Sequence, residues 1–155
     1  MPSTASNSEF LQQWHYALAP HNLGYKVKLV SQLMYRHFLE RLEPHGLTPF
    51  HYLVLCCLWE EDGLSTSGIA DKLKQLGATL TGVVDRMEER KLVYRERDPS
   101  DRRIIRIWLT DEGKALMTVL PPIGAETIDH ATAGIPEAEQ AAAIQVLEQI
   151  IHNLL

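Results

Sequence analysis

The sequence predicts a mainly α-helical fold carrying one small β-hairpin. Apolar residues recur at spacings of three and four along most of the chain, as on helices that bury one face. Two short β-rich runs, 92–95 and 104–109, are joined by a segment that starts Asp98-Pro99, a favoured opening for a type I turn. The 155 residues, 45% hydrophobic and 23% charged, supply one core and too little material for two ordinary domains.

Taken in order, residues 1–20 mix Ser, Asn and Pro with apolar Phe10, Leu11, Trp14, Tyr16 and Leu18, and read as an arm that packs on the body or on a partner. Residues 21–155 read as a single domain. Asn22 is an N-cap, and Leu23, Val27, Val30, Met34 and Phe38 form one face of a helix running to about Leu42, stopped by Pro44 and Gly46. Thr48 followed by Pro49 opens a second helix through Tyr52, Leu55, Leu58 and Trp59, which Asp62-Gly63 ends. Ser67 reads as the cap of a short helix containing Ile69, Ala70 and Leu73. A tight turn over 74–77 follows, then a longer helix ending near Lys91 that buries Leu76, Leu80, Val83, Val84 and Met87. Beyond the hairpin, Thr110 caps a helix whose first-turn acids, Asp111 and Glu112, suit the positive end of its dipole. It runs to about Pro121 and resumes beyond Pro122 as far as Thr132. After a break at 134–137, Ala143, Ile144, Leu147, Ile150, Ile151 and Leu154 mark a last helix.

A net charge of −5 argues at first against a polyanionic partner, but its distribution argues the reverse. Residues 72–106 hold ten bases and six acids, a net +4, while the other 120 residues hold five bases and fourteen acids, a net −9. A local field of this kind governs phosphate attraction more than the total does, so the basic segment is the candidate contact surface. The chain has no run of eighteen apolar residues and its start lacks the pattern of a signal peptide, so a soluble, cytoplasmic protein with no membrane partner is expected. Cys56 and Cys57 lie in the apolar run 52–59 and are expected to be buried thiols rather than half of a disulfide framework. No phosphate-cradling glycine loop, nucleophile elbow or zinc-hydrolase helix is present, and Asp129-His130 falls in a solvated helix, so neither catalysis nor a cofactor is expected. His37, His45 and His51 match no metal-site spacing, and no metal is expected.

A short helix, a turn and a longer helix form a helix-turn-helix, and the hairpin after them makes it winged. The winged core spans about 47–110, with its reading apparatus between Ser65 and Thr110. Helices over about 21–43 and 111–155 form a dimerisation region. A helix fits the major groove, and a basic hairpin tip reaches the adjacent minor groove. Opposite the buried side, the second helix presents Ala78, Thr79, Thr81, Gly82, Asp85 and Arg86. The threonines offer hydrogen bonds and methyl groups to bases, Arg86 suits phosphate, and Ser67 is a further DNA-facing candidate. One such monomer contacts too few base pairs to be selective, so a homodimer on pseudo-palindromic double-stranded operators is expected, the apolar faces of the terminal helices intertwining.

Residues 47–116 resemble the MarR (multiple-antibiotic-resistance regulator) family, most tellingly in LTPFHYLVL, VVDRMEERKLVYRERDPSDRR and WLTDEGKAL. The flanking helices resemble it by pattern only. The resemblance implies a DNA-binding transcriptional regulator, a repressor, with Thr79 and Thr81 on the recognition helix and Asp101, Arg102 and Arg103 at the wing tip. Arg103 resembles the family's minor-groove arginine, with Asp101 placed to orient it. The resemblance further implies a small aromatic or phenolic effector bound between the dimer base and the reading domain, where Tyr25, Tyr35, His37, Tyr52 and Trp59 would line the pocket.

One feature departs from the family. Gly77 and Gly82 stand where many relatives carry basic residues, which lowers helical propensity and removes long side chains. The expectation is that specificity leans on the wing and on DNA shape; a close backbone approach to DNA, a packing requirement and a relaxed position are the other readings. Two functional alternatives stand beside the leading one. A thiol-based redox sensor would use Cys56 or Cys57, although the peroxide-sensing branch carries its cysteine in the first helix, where residues 21–43 have none. A winged-helix protein-interaction module would suit the acidic remainder and the weakly basic recognition helix.

Overall fold

The computed structural model describes residues 7–75 and 77–155, so the expectations for residues 1–6 of the arm and for Leu76 lie outside the described residues. The described chain is mainly helical with one antiparallel hairpin. Helices α1 (Asn7–Trp14), α2 (Leu23–Leu42), α3 (Pro49–Glu60), α4 (Thr66–Leu73) and α5 (Gly77–Glu89) precede strands β1 (Val93–Arg97) and β2 (Ile105–Leu109). Helices α6 (Asp111–Ala115), α7 (Leu120–Ala131) and α8 (Glu137–Leu154) follow. The chain separates into two compact units, divided between Pro49 and Phe50.

In the first unit the arm is helical over α1, and continues as a single 3-10 turn at His15–Ala17. Asn22 caps α2 as expected: its Oδ1 accepts from the Tyr25 backbone N–H at 2.7 Å, while its Nδ2 donates to the Ala17 carbonyl at 3.0 Å. A 3-10 turn at Glu43–His45 and left-handed Gly46 end the helix. Leu23, Val27 and Val30 on α2 are exposed.

The second unit is built around Leu55, Leu58, Ile69, Leu80, Val84, Met87, Val93, Ile107 and Leu120, all fully buried. The cap of α4 is Ser65 rather than Ser67. Ser65 is extended and its Oγ accepts from Gly68 N at 3.0 Å, which makes Ser67 the second helical residue; its Oγ lies 3.1 Å from that of Ser65. Left-handed Lys74 closes α4, and α5 then buries Leu80, Val84 and Met87. Left-handed Lys91 and a bond from Leu92 N to the Met87 carbonyl end the helical backbone, which moves the strand start from 92 to Val93. β1 and β2 pair from Val93 with Leu109 to Arg97 with Ile105.

The loop between α3 and α4 joins the hairpin as a partial third strand. Ile107 N donates to the Leu64 carbonyl at 2.8 Å, and Ser65 bridges Arg106. Asp62 Oδ1 accepts from both Gly63 N and Leu109 N. Gly63 has a left-handed φ of 78°, and a Cβ on it would overlap the Trp108 ring, so two independent constraints demand glycine there. Thr110 Oγ1 accepts from Gly113 N at 3.1 Å and so caps α6.

The sequence placed the next interruption at Pro121 and Pro122, but the break falls earlier, in a 3-10 turn at Leu116–Thr118. The two prolines lie in the first turn of α7, where a missing N–H costs no helical bond. Gly134, with a φ of 78°, separates α7 from α8, whose side chains include none that is buried.

Candidate nucleic-acid interface

The face of α5 opposite its buried side carries Ala78, Thr79, Thr81, Gly82, Asp85 and Arg86, and all six are exposed. This face follows from the spacing of Leu80, Val84 and Met87, which commits one side of the helix to the core. Thr81 is less versatile than its chemistry suggests. Its Oγ1 donates to the Gly77 carbonyl at 3.1 Å, so its hydroxyl proton is used within the helix and the oxygen's lone pairs and the methyl group remain outside. Ser67 is exposed on the first turn of α4.

At the hairpin tip, Asp98 organises the turn. Its Oδ1 accepts from Ser100 N at 2.7 Å and Asp101 N at 2.9 Å, and its Oδ2 accepts from Arg106 Nε. The Arg106 contact, followed by the two backbone N–H bonds, holds the Asp98 carboxyl below the usual carboxylate range. Arg106 Nη1 also donates to the Gly63 carbonyl at 2.9 Å, which anchors the wing to the loop before α4.

Beyond this anchor, Arg103 grips Asp101 through two bonds, Nε to Oδ1 at 3.0 Å and Nη2 to Oδ2 at 2.9 Å. The Arg103 side chain is 90% exposed, and Arg102 beside it is exposed as well. A bidentate clamp on a fully projecting guanidinium presents it outward in a fixed pose. Arg103 also holds the Asp101 carboxyl below its ordinary range, so the clamp stays charged at neutral pH.

Two ties were not visible in the sequence. Arg95 on β1 pairs with Asp85 and with Glu88 of α5, its Nη1 lying 3.1 Å from Glu88 Oε1, and its backbone N donates to Glu88 Oε2 at 2.9 Å. Arg95 thus ties β1 to α5 and Arg106 ties β2 to the loop before α4, which leaves the carboxylates of Asp85, Glu88 and Asp98 paired. Both pairs join separate elements, and only their position in a basic, acid-interleaved run hinted at them.

The candidate effector residues divide between the two units. Tyr25 and Tyr35 are exposed on α2 and His37 is half-buried there; Tyr35 and His37, two residues apart, point to faces about 200° apart. In the second unit Tyr52 and Trp59 lie edge to face, with centroids 6.1 Å apart. The Trp59 indole N–H donates to the Gly113 carbonyl at 3.0 Å, which ties α3 to α6. Burial pushes the Tyr52 phenol up to about 12 and raises both cysteine thiols. Cys57 is buried, Cys56 half-buried, and thiols so raised are poor nucleophiles at neutral pH. Among the described residues no cluster of three or more His, Cys, Asp or Glu is placed to hold a metal, and no helix is long and apolar enough to cross a membrane.

A helix-turn-helix with one helix face left open, followed by a basic hairpin whose tip arginine is clamped outward, defines a winged helix-turn-helix DNA-binding protein. A sequence profile described as the MarR family matches residues 47–105. The uncharacterized HTH-type transcriptional regulator YkoM of Bacillus subtilis (strain 168) is 30% identical over 118 residues, covering 76% of this chain and 77% of that protein. The structure of BpsR from Bordetella bronchiseptica, whose DNA binding is regulated by 6-hydroxynicotinic acid, matches with a TM-score of 0.81 and 26% identity over 86% of this chain and 95% of that one. The transcriptional repressor CouR bound to a 23-mer DNA duplex matches with a TM-score of 0.79 and 29% identity over 88% of this chain and 96% of that one. CouR from Rhodococcus jostii RHA1 is also known bound to p-coumaroyl-CoA. The chain belongs to the MarR family and is a DNA-binding transcriptional regulator.

Proposed function

We propose that the protein is a repressor, without catalytic activity, that binds a pseudo-palindromic operator as a homodimer and is released by a small aromatic or phenolic acid. The observation that carries this reading is the pairing of an exposed α5 face with an Arg103 clamped outward by Asp101. On a duplex the first enters the major groove and the second the neighbouring minor groove, so one half-site engages both. Ser67, Ala78, Thr79, Thr81, Gly82, Arg86 and Arg102 complete the proposed contact set, with Arg86 directed to phosphate.

Dimerisation is supported by the exposed apolar residues of α2 and α8, which a second copy would cover. The effector reading is supported by the ligands of BpsR and CouR, each an aromatic acid or its thioester. Tyr52 and Trp59, which lie edge to face within the second unit, are the side chains proposed to meet the effector ring. An effector that binds one dimer geometry better than another shifts DNA affinity by that difference.

Selection of bound fragments from genomic DNA, followed by affinity measurements on the enriched site at several salt concentrations, tests the proposal. The expected result is a saturable, sequence-selective complex that weakens steeply with salt and dissociates on addition of an aromatic carboxylic acid. Absence of selectivity even at low salt would favour a protein-docking role for the winged fold.

A further inference from the structure

Gly82 occupies a position where the fold asks for no glycine. It lies in the interior of α5, where glycine is the least favourable residue short of proline. Three physical demands retain a glycine at such a place: a left-handed φ, a neighbour too close for a Cβ, or the approach of another molecule. The first is absent, since the left-handed glycines among the described residues are Gly46, Gly63 and Gly134. The second is absent too, because a Cβ on Gly82 would meet no atom of the described residues within 4 Å. Gly113 and Gly124 show the contrast: a Cβ on the first would overlap the Leu92 carbonyl, and one on the second would press on the Tyr52 hydroxyl. Gly82 is exposed, one turn from Ala78 and one turn from Arg86, on the face proposed to enter the groove.

We propose that Gly82 is a specificity-determining residue that seats the α5 backbone directly against the base edges of the major groove, at a depth a single methyl group would prevent. This inference rests on α5 being the DNA-reading helix. The surface around Gly82 also indicates what it meets. Thr81 turns its hydroxyl proton onto the Gly77 carbonyl, so the neighbouring side chain offers a methyl group and acceptor lone pairs, while Ala78 offers another methyl. That small apolar surface matches the C5-methyl of thymine, and the Thr81 lone pairs match an exocyclic amine on adenine or cytosine. Gly82 thus carries sequence reading by proximity, where a basic side chain would carry it by reach.

The test compares wild type, Gly82→Ala and Arg103→Ala on the enriched operator, on the same operator with uracil replacing thymine, and on unrelated duplex, each with a thermal melt. Gly82→Ala is expected to raise the melting temperature by about 2–4 °C, as helix propensity dictates. It is also expected to weaken operator binding by about tenfold or more while leaving binding to unrelated duplex unchanged. Wild type should lose affinity on the uracil operator, and Gly82→Ala should lose little more. A more stable Gly82→Ala that binds the operator like wild type would show a merely relaxed position and overturn the inference. So would a drop in melting temperature, which would make the glycine a demand of the fold. If wild type selects an operator and Arg103→Ala weakens it while Gly82→Ala does not, only this inference fails. If wild type selects no DNA, the reading beneath it fails as well.

Discussion

An arginine as exposed as Arg103 would ordinarily sample many rotamers, and immobilising it on DNA would cost side-chain entropy. The two bonds to Asp101 restrict that freedom before any duplex arrives. Arg103→Ala is therefore expected to raise the operator Kd roughly 5- to 150-fold with the melting temperature unchanged. Asp101→Asn, which keeps the guanidinium but weakens its clamp, should cost less; equal losses would mean that Asp101 does more than orient. His51 carries a prediction of a different kind. Burial, and then the nearby Arg90 and Arg86, holds its imidazole below the ordinary value of 6.5. The folded state thus prefers the neutral ring, so the unfolded chain binds more protons below pH 6.5 and stability falls as pH drops through that region. Melting temperatures between pH 8 and 5 should show this loss, and His51→Gln should flatten it. At this scale Arg103 and Asp101 were legible in the sequence because they stand two residues apart within one turn. The Arg106 ties to Asp98 and Gly63, and the Arg95 ties to Asp85 and Glu88, were not, because pairing between elements depends on register and packing.

Elements were legible wherever one local device determined them. Asn22 and Thr110 each cap a helix through a backbone N–H three residues on, and the helices they mark start where their patterns put them. The cap of α4 was misplaced at Ser67 because what selects Ser65 lies outside the helix: Ser65 is drawn into an extended conformation alongside Arg106 of β2. The prediction is correspondingly sharp. Ser65→Ala should cost about 1 kcal/mol of stability, as loss of an N-cap does, whereas Ser67→Ala should stay within about 0.5 kcal/mol. Urea unfolding of both variants measures the difference, and the reverse order would return the cap to Ser67. The start of α7 shows the opposite failure of local reading. Pro121 and Pro122 look like breakers, yet a proline breaks a helix only where its N–H is needed, and here the chain had already left the helix at Leu116–Thr118.

For the whole molecule the central problem is how an acidic chain approaches a polyanion. Its positive charge is gathered in residues 72–106, and several acids within that segment are held in ion pairs with Arg95, Arg103 and Arg106. The remaining acidic surface would repel DNA if it faced the duplex, which favours an assembly that turns both basic segments toward one side. The pairing surface proposed for that assembly is α8, which belongs to the same unit as the basic segment. On α8, Ile144, Leu147, Ile151 and Leu154 recur at spacings of three and four and are all exposed, Leu154 by 81%. A helix with no buried residue gains little stability from its own chain and is a natural surface for a second copy. The double variant Ile144→Glu/Ile151→Glu should therefore sediment as a monomer at concentrations where wild type is a dimer. Each monomer would still carry an intact reading unit, so half-site binding should persist while affinity for the full operator falls. The salt dependence makes this quantitative: the slope of log K against log salt counts phosphates neutralised, so the monomer's slope should be about half that of the dimer. A variant that remains dimeric, or a monomer that keeps the full slope, would place the interface elsewhere.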